Sequence, residues 1–197
     1  MSSRDKIMTA IKANQPALLQ LPDVQMERQL PEPSAILPQF VKTLESIGGK
    51  AVVINDVAGI RDTLEQSRNG QQYIVNTLPY LGTVNTEVIS GMHAGSLEPV
   101  FTAYIEATLG VAENGSVWLY EHQLKNRLLP FICQHLVICL HAHTIVPTMH
   151  EAYEKIDIAR EGYGVFLAGP SKTADIEQSL VIGAHGARSL LVYLITG

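Results

Sequence analysis

Apolar positions along this chain recur with two different periods. At helical spacing, Ile7 and Ile11 with Met8 beside them form one face of a segment that Ser2 or Ser3 can cap, which predicts a helix over about 3–14. A second helix over 35–47 ends at Gly48-Gly49, a common way to close a helix. Between them, residues 15–34 carry Pro16, Pro22, Pro31 and Pro33, with Pro38 just beyond, and read as an arm over the surface. Short apolar runs of strand length follow at Ala51-Val52-Val53-Ile54 and at 72–76, separated by a helix from Asp56 to about Ser67. Residues 35–76 thus read α-β-α-β, with connections of Rossmann-like length.

The second half is less regular. Leu78 to Leu97 holds Gly82, Gly91 and Gly95 and predicts irregular chain. Phe101–Thr108 and Val117–Tyr120 have strand composition and flank Asn114-Gly115, a tight-turn dipeptide, so a β-hairpin inserted in the α/β pattern is expected over 101–120. A short helix interrupted by Pro130 follows over 124–134, then a buried strand at Leu136–Leu140 and a helix over 148–160. The chain is expected to finish with a strand at 163–168, a helix at 174–182 and a strand at 190–195. The fold expected is a single three-layer α/β domain over 35–197, its sheet mostly parallel with a small antiparallel element, preceded by an N-terminal helical arm over 1–34.

Composition narrows the classes. The 197 residues are 46% hydrophobic and 17% charged, ordinary for a globular protein able to bury a sizeable core. A net charge of −5 without any basic run argues against a nucleic-acid surface. No apolar stretch reaches the ~18 residues of a membrane span; the nearest, 128–140, is interrupted by Pro130, Gln134 and His135. The first six residues lack the apolar core of a signal peptide, so a cytoplasmic protein is expected. Cys133 and Cys139 form no CxxC pair, which excludes an iron–sulfur cluster or a cysteine-rich zinc site built within this chain, and both read as small buried apolar residues.

Candidate chemistry gathers in three glycine-containing turns. Gly169-Pro170-Ser171-Lys172-Thr173-Ala174-Asp175-Ile176-Glu177 falls where the strand at 163–168 is expected to hand over to the helix at 174–182. Ligands of open α/β sheets bind at such carboxyl ends of strands, and a helix N-terminus there favours an anion. Lys172 would add a charge, and Ser171 and Thr173 hydroxyl donors. The plainer reading is a capped helix, with Thr173 or Asp175 as N-cap. Asp175 and Glu177 would repel an anion, and can instead accept from a ligand hydroxyl or pair with Lys172. In Gly183-Ala184-His185-Gly186, His185 can hydrogen-bond a carboxylate or move a proton, or else simply bond local backbone. Asn114-Gly115-Ser116 can present donors to an anion or merely close a hairpin. Glu106 and Glu113 are possible acid–base groups of unknown orientation, and His141-Ala142-His143, with His135 and His150 nearby, reads as loop histidines rather than a metal site. No dinucleotide-binding glycine pattern follows the first strand.

Four segments together carry a resemblance: Ala112-Glu113-Asn114-Gly115-Ser116-Val117, Arg127-Leu128-Leu129-Pro130, the Gly169–Glu177 stretch, and Gly183-Ala184-His185-Gly186-Ala187-Arg188. They are similar to the LUD-domain family of the lactate-utilisation protein C type, departing from it at Asn114, where Thr is usual, and at Ala187, where Pro is usual. The resemblance implies a fold akin to the NagB/RpiA/CoA-transferase superfamily. It implies a subunit that supports oxidation of L-lactate to pyruvate alongside iron–sulfur partner proteins, with no cofactor in this chain. The alternatives are a non-catalytic protein that binds a metabolite, regulates or assembles, and, lower, an enzyme of the CoA-transferase or sugar-phosphate-isomerase kind. The expected site is one pocket for a small anionic metabolite at the strand ends. It would be formed by Asn114, Gly115, Ser116, Gly169, Pro170, Ser171, Lys172, Thr173, Asp175, Gly183, His185 and Gly186. His185, Asp175 and Glu113 are the acid–base candidates; no metal site, nucleic acid or membrane is expected, and a homo-oligomer is open.

Overall fold

Alternating side chains on three central strands give this protein a sheet that is apolar on both faces. In the computed structural model, residues 2–17, 19–20, 31–70, 72–84, 89–176, 179–183 and 185–197 are described, with backbone alone at 160, 173–176 and 179–181. Two units are distinguished, Met1–Leu30 and Pro31–Gly197. In the first, helix α1 (Ser3–Ala13) starts at a capping box: the Ser2 hydroxyl accepts from the Asp5 N–H, and Asp5 accepts from the Ser2 N–H. Its apolar residues Ile7, Met8 and Ile11 are exposed.

The second unit is built on a five-stranded parallel sheet. Its members are β1 (Lys50–Ile54), β2 (Ile74–Asn76), β3 (Thr102–Glu106), β6 (His135–His141) and β11 (Ser189–Ile195), in the spatial order β1-β11-β6-β3-β2. Strands β6 and β11 pair along their whole length, from Ser189 beside His135 to Ile195 beside His141. On one face Ala103, Ile105, Leu136, Ile138, Leu140, Leu190, Val192 and Leu194 pack with Phe40 and Leu44 of helix α2 (Pro33–Ser46). On the other, Tyr104, Val137, Cys139 and Ile195 pack with Ile60 and Leu64 of helix α3 (Ala58–Asn69). This is the expected three-layer α/β fold, and burial on both faces explains the continuous apolar runs in the sequence.

A second sheet lies on the α2 side, through Val117 and Leu119, in the order β7 (Ile145–Val146), β4 (Leu109–Val111), β5 (Ser116–Tyr120), β8 (Gly164–Leu167). The hairpin expected over 101–120 is narrower than its prediction. Leu109–Val111 and Ser116–Tyr120 form it, while Thr102–Glu106 belongs to the parallel sheet. The strand at 163–168 likewise joins the small sheet, antiparallel to β5. Helix 148–160 divides into α7 (Met149–Lys155) and α8 (Ile158–Glu161), after the short α4 (Ala94–Leu97), α5 (Glu121–Leu124) and α6 (Leu129–Ile132).

The helix expected at 174–182 is absent. Its place is taken by the antiparallel strands β9 (Lys172–Ile176) and β10 (Ser179–Ile182). The spacing of Ile176, Leu180 and Val181 over so short a segment does not separate the two periods, whereas β-branched Thr173, Ile176, Val181 and Ile182 favour extended chain. No helix N-terminus therefore stands behind Ser171-Lys172. Both the dipole argument for an anion and the N-cap reading of Thr173 and Asp175 fall with the helix.

Candidate functional site

Backbone hydrogen bonds tie two of the three predicted turns together. The Ser171 N–H donates to the Ala187 carbonyl at 2.8 Å, and the Gly183 N–H donates to the Ser171 carbonyl at 3.0 Å. Gly186 makes the approach possible, because a Cβ there would come within 2.9 Å of the Ser171 Cβ. The result is a cavity of about 300 Å³, rimmed by Gly169-Pro170-Ser171-Lys172 and His185-Gly186. Phe131, Leu136 and Phe166 supply its apolar wall. Lys172 and His185 are exposed, so an ammonium and an imidazole stand at the mouth of a largely apolar space. Gly183 is one of the ties rather than a lining residue. Thr173 and Asp175 continue into β9, and their side chains lie outside the described residues, as does Glu177 altogether.

The position of this cavity differs from expectation. It follows the carboxyl end of β8, but β8 belongs to the small sheet. Within the parallel sheet, Leu136 opens onto it near the amino end of β6 and Ala187 just before the amino end of β11. The crevice at the carboxyl ends of the parallel strands is elsewhere.

The third turn does not line the cavity. The Asn114 side-chain oxygen accepts from the Ser116 N–H at 3.0 Å and from the Ser116 hydroxyl at 2.7 Å, and Ser116 is buried. Gly115 sits at φ +68° with a Cβ position 2.8 Å from the Leu44 backbone nitrogen, so this glycine serves a close approach to α2, not to a ligand. Glu113 accepts from the Met149 N–H at 3.1 Å at the start of α7. These residues close a hairpin and join it to two helices. The sequence reading missed Phe131 and Phe166, since isolated rings carry no motif.

The remaining candidates have local roles. The His135 Nδ1 lies 2.7 Å from the Ser189 hydroxyl, and the His141 and His143 rings are 5.5 Å apart. Among the described residues, no three His, Cys, Asp or Glu groups are arranged to hold a metal. Burial pushes the thiols of Cys133 and Cys139 up from 9.0 to about 12, so neither presents a thiolate near neutral pH.

Comparisons with known proteins agree with this architecture. Residues 101–195 match the model of the LUD domain. A lactate utilization protein C from Bacillus pumilus is 35% identical over 91 residues, covering 43% of this chain and 38% of that protein. One from Geobacillus kaustophilus is 28% identical over 160 residues, 76% of this chain and 63% of that protein. The matches thus span less than two thirds of these relatives' own lengths. A crystal structure of a DUF162 family protein from Deinococcus radiodurans has the same fold, with a TM-score of 0.63 at 18% identity over 82% of this chain and 97% of that one. The matched region holds the small sheet, both joined turns and strands β3, β6 and β11. Residues 101–195 thus match the LUD domain, and the relatives that this chain is similar to bear the name lactate utilization protein C.

Proposed function

We propose that this chain is a lactate-utilisation protein whose LUD domain binds a small anionic metabolite between the turns 169–172 and 185–186. The observation that carries the reading is the meeting of Lys172, Ser171 and His185 at one cavity. The name shared by the Bacillus and Geobacillus relatives supports the metabolic role. In this reading the Lys172 ammonium pairs with a carboxylate, the Ser171 hydroxyl donates a second hydrogen bond, and Phe131 and Phe166 take the apolar side of the ligand. His185, at the mouth of the cavity, gives or accepts a proton at the ligand in this reading. Oxidation of lactate to pyruvate releases two electrons and two protons, and the electrons need an acceptor. The resemblance to the lactate-utilisation family implies iron–sulfur partner proteins as that acceptor, in the cytoplasm.

Calorimetric titration with L-lactate and pyruvate tests the reading. Lys172→Ala removes a charge-assisted hydrogen bond worth ~1.5–3 kcal/mol, so affinity should fall roughly tenfold or more. Ser171→Ala should cost less, ~1 kcal/mol. Unchanged affinity in Lys172→Ala refutes this site. With a dye acceptor, turnover of lactate is expected only when the iron–sulfur partners are present; turnover by the isolated chain would refute the dependence on them.

A further inference from the structure

The carboxyl ends of the parallel strands, where open α/β sheets bind ligands, lie on the opposite edge of the sheet from the Lys172 cavity. A separate cavity of about 210 Å³ opens there. It is lined by Thr77, just after β2, by Glu106, the last residue of β3, and by His122, Gln123 and Lys125, which follow β5. Glu106, His122 and Gln123 are each oriented by a partner outside the cavity. The His122 Nδ1 lies 2.6 Å from one oxygen of Glu161, whose other oxygen accepts from the His122 backbone N–H at 3.2 Å. A carboxylate gripping the residue twice fixes Nδ1 as the donor and leaves Nε2 for a ligand. The Gln123 carbonyl oxygen is occupied by the Thr108 hydroxyl and the Tyr120 N–H, both at 2.9 Å, so its amide nitrogen is the end left to donate. Glu106 accepts from the Tyr80 hydroxyl at 3.2 Å with one oxygen and keeps the other. Burial holds the Tyr80 hydroxyl far above its ordinary range, so it remains a donor.

Lys125 adds the charge. Among the described residues it is the one non-glycine in the left-handed region, at φ +60°, and its ammonium forms no ion pair. Such a conformation is uncommon for lysine, and residues so held cluster at binding sites. The cavity therefore offers two donors, Lys125 and the Gln123 amide, beside the Glu106 carboxylate and the His122 Nε2. Leu78, Pro79 and Val84 give it an apolar side. A phosphate, close to doubly charged, is repelled by Glu106 more strongly than a singly charged carboxylate. A carboxylate that also carries a hydroxyl takes from the two donors and gives its one hydroxyl proton to Glu106.

We infer that this carboxyl-edge cavity is a second ligand site, taking a small 2-hydroxycarboxylate: Lys125 and Gln123 bind the carboxylate, and the hydroxyl, beside His122, donates its one proton to Glu106. The site does not rest on the reading of the Lys172 cavity. Imidazole ¹⁵N–¹H spectra of the full chain test it, with L-lactate as probe and propionate, which lacks the hydroxyl, as control. The His122 signals, identified by their loss in His122→Gln, are expected to shift saturably with L-lactate and at least tenfold more weakly with propionate. Lys125→Gln should weaken the response about tenfold or more. Lys125→Gly, which suits the positive φ, should do the same while melting no lower than the unsubstituted protein. Lys172→Ala should leave the His122 titration unchanged. Signals unmoved by lactate, an equal response to propionate, or full binding in both Lys125 variants would overturn the inference. None of these results bears on lactate affinity lost through Lys172→Ala, so the two sites fail separately.

Discussion

Gly115 and Lys172 were equal members of one predicted pocket, and they part company on what stands next to them. Lys172 rims a cavity, whereas Gly115 faces the backbone of Leu44. Gly115→Ala combines a positive φ with a Cβ 2.8 Å from the Leu44 nitrogen. It should destabilise the protein by ~1–3 kcal/mol, the cost of overpacking with strain added. In a domain of this size that lowers Tm by about 2 °C or more, as a thermal melt would record, while the Lys172 site keeps its affinity. A ligand role for Gly115 predicts the opposite pairing of results. Lys172, Ser171 and His185 were legible in sequence because charge, hydroxyl and imidazole carry their chemistry wherever the backbone puts them. The role of Gly115 was not legible, because a close approach depends on a helix some seventy residues earlier in the chain.

At the scale of elements, long runs with one period were read well and short ones were not. The Ile138-Cys139-Leu140 run could only be buried, and it is the centre of the parallel sheet. The segment 174–182 is short enough for Ile176, Leu180 and Val181 to fit either period, and there the β-branched residues decide. Strand 163–168 was placed in the wrong sheet because sequence gives strand character without giving strand partners. Helix α7 shows a boundary that the sequence does encode: Thr148 and Glu151 form a capping box, with the Thr148 N–H donating to Glu151 at 3.0 Å. Thr148→Ala should therefore cost ~1 kcal/mol, a fall in Tm of about 2–4 °C. A variant that melts with the unsubstituted protein would show that tertiary contacts, not the cap, hold that end.

Across the whole molecule, the two-faced sheet buries titratable groups as well as apolar ones, and this gives the stability a pH dependence. Burial raises the thiols of Cys133 and Cys139 from 9.0 to about 12, and the Tyr104 hydroxyl from 10.0 to about 12. In the unfolded chain these groups ionise near their ordinary values, so between pH 9 and 12 the folded chain holds more protons than the unfolded one. Stability should be unaffected by them below that window and should fall as pH rises through it, as denaturant melts at successive pH values would reveal; alkylation of the two thiols should follow unfolding in the same series. The layered architecture was legible in sequence, but the edge of the sheet that holds the first cavity was not. The turn at 169–172 belongs to the carboxyl end of one sheet and borders the amino ends of the other. The most direct test of the central claim is a crystal structure with bound L-lactate or pyruvate. The account predicts density in the cavity between the joined turns, its carboxylate on Lys172 and Ser171 and its methyl group toward Phe131 and Phe166. A fully occupied ligand that leaves Lys172, Ser171 and His185 untouched would contradict it.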